Sequence, residues 1–321
     1  MIAALRTAGL LLALAAAAGH AVPAAAPGHE SAFRAPLAAK APLLSIARAG
    51  ARLVAVGDFG VVVLSDDDGR SWRQAQAVAT RQMLTSVAFV DAQRGYAVGH
   101  GGTVLATADG GETWTRLHDA GADNVLLSVW FGSAQRGLAV GAFGFALATA
   151  DGGRTWAPVT LGAGDDHDRH LNAVFAGPGG TLFVAAEAGT VFRSADGGAT
   201  WTVLRTPYDG SLWGGLALQD GAVLVHGMRG HALRSADLGR TWTDVPTGTT
   251  QSFTSAMQLA DGTIVLAGLG GAVAVSRDGA RSFRTTILPD RQTLAAVAPG
   301  PGGQLVVAGL AGIATRPMAA P

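Results

Sequence analysis

The sequence predicts an all-β fold: a seven-bladed β-propeller built from four-stranded antiparallel blades. Three observations predict it. A turn motif, Ser/Thr-x-Asp-x-Gly-x-Thr/Ser-Trp, recurs with a period of just over forty residues. A Gly-x-x-Gly turn recurs at the same period, one strand earlier. The composition suits short strands and tight turns, with 46 glycines in 321 residues, 49% hydrophobic residues and only 14% charged ones.

The first copy of the turn motif is Ser65-Asp66-Asp67-Asp68-Gly69-Arg70-Ser71-Trp72. Its aspartate position is held by Asp67, Asp109, Asp151, Asp196 and Asp237, and its tryptophan by Trp72, Trp114, Trp156, Trp201 and Trp242. A sixth copy keeps Ser276 and Asp278 but has Ala280 for glycine and Phe283 for tryptophan. Successive aromatic positions are 42, 42, 45, 41 and 41 residues apart, the length of one blade. Every part of this Asp box has a folding role. The carboxylate accepts N–H groups of its own turn, the glycine permits a left-handed backbone, and the tryptophan buries apolar surface between sheets. The boxes therefore read as structural.

The glycine pairs give the blade count. They are Gly57/Gly60, Gly99/Gly102, Gly141/Gly144, Gly227/Gly230, Gly268/Gly271 and Gly309/Gly312, with Ala186 and Gly189 in the remaining unit. Alternating apolar stretches flank each pair, such as Leu53-Val54-Ala55-Val56 and Val61-Val62-Val63-Leu64. These read as strands B and C joined by a tight turn in which glycine supplies positive φ. Strand A precedes them, as in Leu84-Thr85-Ser86-Val87-Ala88-Phe89, and strand D follows each tryptophan. The seventh unit ends at Arg316 without a box. Ser31-Ala32-Phe33-Arg34-Ala35-Pro36-Leu37 resembles Arg281-Ser282-Phe283-Arg284-Thr285-Thr286-Ile287. Residues 32–38 are therefore expected to supply the missing outer strand and close the ring.

The N-terminus has the pattern of an export signal: Arg6, an apolar stretch over residues 8–18, then small residues with Gly19-His20-Ala21 as cleavage site. The expected organisation is a signal peptide over 1–21 (26 is the latest cleavage point), a linker over 22–30, one propeller over 31–316 and a disordered tail over 317–321. Export, most simply to a periplasm, follows. The chain has no cysteine, which removes disulfides, thiolate metal sites and cysteine nucleophiles. Formal net charge is zero, so no bulk basic field points to nucleic acid.

The boxes resemble the bacterial neuraminidase repeat. Their pairing with Gly-x-x-Gly one strand earlier is similar to the photosystem II stability and assembly factor family, over residues 31–316. That resemblance implies an exported seven-bladed propeller that binds membrane-protein precursors through an arginine-rich patch, not an enzyme. The partner it implies is a membrane-associated protein; a monomer without cofactor is expected.

Blade topology places candidate binding residues. A–B loops and Asp boxes share one face; B–C turns and D–A connections share the other. On the second face lie Asp58, Phe59, His100, Phe143, Glu187, Met228 and Arg229 from B–C turns. Lys40, Arg81, Gln82, Asp123, Asn124, Arg169, His170, Tyr208, Asp209 and Arg291 join them from D–A connections. Arg81, Arg169, Arg229, Arg291 and Lys40 are expected around one end of the central channel, where guanidinium groups suit carboxylates or phosphate. The alternative is that they are solvated or paired with aspartates such as Asp168 and Asp290.

Two rival chemistries have candidates. Phe33-Arg34-Ala35-Pro36 resembles a sialidase motif, and Tyr208 beside Asp209 is the available nucleophile; Tyr96 falls in a strand-B pattern. The repeat already explains Arg34, which aligns with the residue after each tryptophan. Asp165-Asp166-His167-Asp168-Arg169-His170, in the longest connection, is the only metal-like cluster, and a solvated loop explains it as well. No phosphate-binding loop or cofactor signature is present.

Overall fold

The computed structural model describes residues 30–318. Seven sheets with antiparallel blades follow one another along the chain; at the second, Ala77–Val78 adds a short parallel edge strand beside Thr113–His118. Blade 1 comprises Leu43–Ala49, Arg52–Gly57, Val62–Ser65 and Arg73–Gln74 as strands A to D. The A strands are innermost. Each lies beside the A strands of its two neighbours, and Leu43–Ala49 lies beside Leu294–Pro299 to complete the ring. Serines on A strands tie the ring together: Ser45, Ser86, Ser128 and Ser255 accept the N–H of Val87, Val129, Val174 and Val297 in the next blade.

The apolar alternation of strands B and C fills the spaces between blades. Val54, Val56 and Leu64 of blade 1 meet Ala97, Leu105 and Trp114 of blade 2 in one buried cluster. Each box aromatic enters the junction with the preceding blade, as Trp114 does, where Phe89 packs against it edge-on at 6.0 Å. The last junction works the same way: Leu53, Ala55 and Val63 pack against Ala296, Val306 and Ala308.

In blade 1 the Gly-x-x-Gly turn closes over five residues, Gly57 to Val61, and its two glycines have different reasons. Gly57 is extended, with φ −174°. It is needed for space, since a Cβ there would lie 2.1 Å from the Pro42 carbonyl oxygen. Gly60 has φ +69°, and its Cβ would lie 2.2 Å from the Thr80 carbonyl oxygen. So only the second glycine supplies the positive φ that the sequence pattern suggests. In blade 4 Ala186 occupies the first position. There the N–H of the following residue, Glu187, donates to the His170 carbonyl at 3.3 Å, against 3.0 Å from Asp58 to the Pro42 carbonyl in blade 1. A slightly opened turn accommodates the methyl group.

The expected closing strand is not formed. Blade 7 has three strands, Leu294–Pro299, Leu305–Gly309 and Gly312–Arg316, among the described residues. Ala38–Lys40 forms a 3-10 turn beside Gly312, where the other blades have their D–A connection. From there residues 30–37 run outward along blades 1 and 2 instead of back along blade 7. The reason is a better set of partners. Gln74 accepts the Ala35 N–H and donates to the Phe33 carbonyl, the Ala32 N–H reaches Val78, and Arg81 holds Ser31. The expected signal peptide and almost all of the expected linker lie outside the described residues. No helix among them is long and apolar enough to cross a membrane.

Candidate functional site

On the box face the local chain occupies its own polar atoms. Asp151 accepts the Thr155 N–H at 2.9 Å, the Thr155 hydroxyl at 2.7 Å and the Thr149 hydroxyl at 2.9 Å. Asp67, Asp109, Asp196, Asp237 and the degenerate Asp278 repeat the pattern. The donors four residues on hold Asp67, Asp151 and Asp237 down at about 2. Trp72 and Trp114 donate back to the carbonyls of Gly69 and Gly111. Such carboxylates are committed to their turns.

The opposite face differs. The residue before the second turn glycine adopts positive φ in Phe59, Phe143, Ala188 and Arg229. This conformation carries the side chain outward from the apex. Phe59 is 66% exposed, Phe143 70% and Leu310, in the turn of blade 7, 59%. The other large exposed hydrophobics among the described residues are Phe33, Leu37 and Ile287. Phe33 and Leu37 belong to the N-terminal segment, and Ile287 ends strand D of blade 6. The A–B loops and Asp boxes carry none of them. Outside the N-terminal segment, the large exposed hydrophobics of the described residues all lie towards the turn face.

The predicted residues sit where topology put them: Lys40, Arg81, Arg169, His170 and Arg291 in D–A connections, Asp58, His100, Glu187 and Arg229 in B–C turns. They form local groups more than one ring. Glu187 accepts the His170 N–H at 3.0 Å, and the His170 ring lies 4.5 Å from that of Phe143. Arg169 pairs with Asp166, which also binds Arg205; the partner is not Asp168, which instead contacts His167. Asp290 pairs with Arg316. Asp58 accepts the Phe59 N–H. Arg229, Arg291 and Lys40 are exposed without an ion pair among the described residues.

Arg81 is the most engaged. Its guanidinium lies 3.6 Å over the Phe33 ring, binds the Ser31 carbonyl and pairs with Glu30. It borders a cavity of about 450 Å³ between blades 1 and 2, with Gln82, Thr103, Arg116 and Glu30 in the wall. Thr103 is fully buried, and its hydroxyl lacks a hydrogen-bond partner. The equivalent hydroxyl of blade 4, on Thr190, accepts from Arg205. Neither Thr103 nor Arg116 stands out in the sequence. The only signal is position: Thr103 directly follows the second turn glycine, where its hydroxyl faces the inter-blade gap.

The rival sites disperse. Tyr208 donates to the Met228 carbonyl and stacks on His231 at 3.9 Å, and burial raises its pKa. That is the wrong direction for a nucleophile. Tyr96 is buried and stacked on Phe131. Among the described residues no three His, Asp or Glu side chains converge as metal ligands; Asp166 is committed to two arginines and His170 to Phe143.

Known proteins were compared with this geometry. No curated protein matches the sequence. Among solved structures, the chain is similar to "YCF48 bound to D1 peptide", at 18% identity and TM-score 0.70, covering 91% of this chain and 97% of that one. It is similar to YCF48 from Cyanidioschyzon merolae at 17% identity and TM-score 0.66, covering 86% and 95%. A virginiamycin B lyase from Staphylococcus aureus matches at 8% identity and TM-score 0.73, covering 90% and 98%. These likenesses establish the fold, which serves enzymes as well as binding proteins. The family model adds what the fold does not: that of photosynthesis system II assembly factor YCF48 matches residues 65–125 and 116–285, and the chain belongs to that family.

Proposed function

We propose that this chain is an exported, non-catalytic scaffold whose turn face binds an extended segment of a membrane-associated partner during its assembly. One observation carries the reading: the rim of that face already holds a peptide, the chain's own residues 30–35. Gln74 reads both the N–H of Ala35 and the carbonyl of Phe33, Arg81 takes a backbone carbonyl, an aromatic ring and a carboxylate, and Val78 takes a backbone N–H. These contacts recognise extended backbone, one aromatic side chain and one negative charge. A few such anchors on a rigid frame are what peptide recognition requires. The D1 peptide bound to a related propeller is in keeping with this chemistry. An assembly role matches a protein that docks partners without turning them over.

The experiment is site-specific photocrosslinking in the native envelope, from Phe143 and Arg229 on the turn face and from Arg154 on the box face. The expected result is one membrane-associated product from the turn-face positions only, weakened by Arg81→Glu. Equal labelling from Arg154, or no discrete product from Phe143 and Arg229, overturns the reading.

A further inference from the structure

We propose that the open outer edge of the seventh blade accepts a short extended segment of a partner protein that carries an aromatic residue flanked by carboxylates. The site is separate from the turn face, and the inference does not rest on the function proposed above.

The molecule supplies its own template. In blade 6, strand D (Arg284–Ile287) pairs with strand C (Ala272–Ser276), with Val273 opposite Thr286 and Val275 opposite Arg284. In blade 7 the corresponding strand C, Gly312–Arg316, is the outer strand. Gly309 and Gly312 flank a two-residue turn, so Ile313 and Thr315 direct their backbone N–H and C=O groups outward. Among the described residues no strand pairs with this edge, and an unpaired edge is a template for strand addition. The segment need not be long, because strand D spans only two residues in blades 1, 3 and 5.

The neighbouring cavity says what the segment carries. At blades 3 and 5, cavities of about 330 and 290 Å³ lie between strands C and D and the box of the next blade. That box contributes Gly197 and Gly198 in one case, Ala280 and Arg281 in the other. At blade 6 the same position is a cavity of about 470 Å³, lined by Val275, Arg277, Phe283 and Arg284 among residues of blade 6 alone. Among the described residues none of blade 7 contributes to its wall. The side chains of Arg277 and Arg284 are exposed and make no hydrogen bond or close ion pair among the described residues, although Arg277 acts electrostatically on Asp261. Asp278, the one carboxylate in the wall, is bonded within its own turn, so the wall carries a surplus positive charge and the complementary charge is negative. In complete blades the box aromatic enters the junction with the preceding blade. At the blade 6–7 junction Met318 packs instead, against the cluster containing Val265, Leu305 and Val307, with Val275 and Ala314 alongside. Met318 thus holds the place of the box aromatic, and the partner's aromatic side chain would displace it.

The probe is a synthetic peptide with the sequence of residues 235–245, the box and strand D of blade 5, added to the purified full chain. Saturable binding is expected by fluorescence anisotropy, with slower amide exchange at Ile313 and Thr315. A peptide with Trp242→Ala should bind at least roughly tenfold more weakly, as one lost aromatic anchor implies. The chain with Arg277→Glu and Arg284→Glu should lose affinity to a similar degree with an unchanged melting temperature. Absence of saturable binding, or equal binding of the tryptophan-free peptide, overturns the proposal. So does occupation of the edge by the chain itself. A Phe33→Cys/Thr315→Cys variant that forms an intramolecular disulfide would reveal the N-terminal segment there, and a dimer abolished by the double arginine change would reveal a second copy.

Discussion

The two faces of the propeller spend their polar and apolar groups in opposite ways. On the box face, aspartates and hydroxyls bond to the few residues around them and the aromatics pack into the blade junctions. Trp72 and Trp114 donate to carbonyls of their own turns, while the indole N–H groups of Trp156, Trp201 and Trp242 are buried without a partner among the described residues. On the turn face, positive-φ apices push phenylalanine and arginine into solvent, where nothing in the repeat needs them. The motif that is most conspicuous in the sequence is therefore the one most fully explained by folding. The candidate binding face is built from turn positions that the repeat leaves free to vary.

The sharpest way to break this contrast is to truncate one aromatic on each face. Trp114 is 2% exposed, and Trp114→Ala should cost about 3–5 kcal/mol in urea denaturation through lost burial and a residual cavity. Phe143→Ala should stay within about 0.5 kcal/mol of the parent, as exposed substitutions do. Comparable losses would mean that the turn-face aromatics belong to the fold.

Acid should separate the interior of the blades from the boxes. Burial pushes His226 down to about 4, and Nδ1 donates to the Phe253 carbonyl at 3.1 Å. The folded state thus favours the neutral ring. Its contribution is complete above about 6.5, the unfolded value, and falls as pH drops towards 4. The shift corresponds to about 3 kcal/mol. The box aspartates at about 2 then take over. Their contribution is complete above about 3.9 and is lost as pH falls through 2. Stability against pH should show two acid steps, and His226→Leu should remove the upper one alone.

The sequence made the seven blades, their strand order and the assignment of loops to faces legible, because each depends on period and alternation. What it hid depends on distances between blades. Ser31 to Leu37 matches the strand D pattern as well as a true strand does, yet Gln74, Val78 and Arg81 offer it a nearer set of donors and acceptors. No pattern in residues 31–37 encodes those partners. Arg169 was assignable to a neighbouring aspartate, but whether Asp166 or Asp168 depends on the loop's curvature. Thr103, just before strand C of blade 2, and Arg116, on its strand D, line one cavity with Arg81 and Gln82 of the preceding connection, a grouping no local pattern encodes.

The turn glycines offer a middle-sized test. Gly60→Ala combines a left-handed backbone with a Cβ 2.2 Å from the Thr80 carbonyl oxygen, and should cost about 1–3 kcal/mol. Arg229→Gly, at an apex already left-handed, should hold or slightly raise the melting temperature, since it relieves positive φ without removing a buried contact. A large loss there would show that the apex side chain supports the fold and does not merely stand on it.

The smallest effect belongs to the N-terminal segment. Gln74→Ala removes the two hydrogen bonds that read the backbone of Phe33 and Ala35. Each is worth about 0.5–1.5 kcal/mol. The segment is peripheral, so the loss should appear as local opening and leave the global melting temperature unchanged. Amide exchange at Ala35 and at Ala32 should quicken by roughly tenfold, which corresponds to about 1.4 kcal/mol. Exchange at Val54 and Val56, in the core between blades 1 and 2, should not change. A fall in melting temperature equal to that local loss would mean that the segment closes the ring energetically although it pairs with the wrong blade. Unchanged exchange would mean that Arg81 alone holds it. Only the expected outcome leaves the turn face with a bound peptide that a partner can displace.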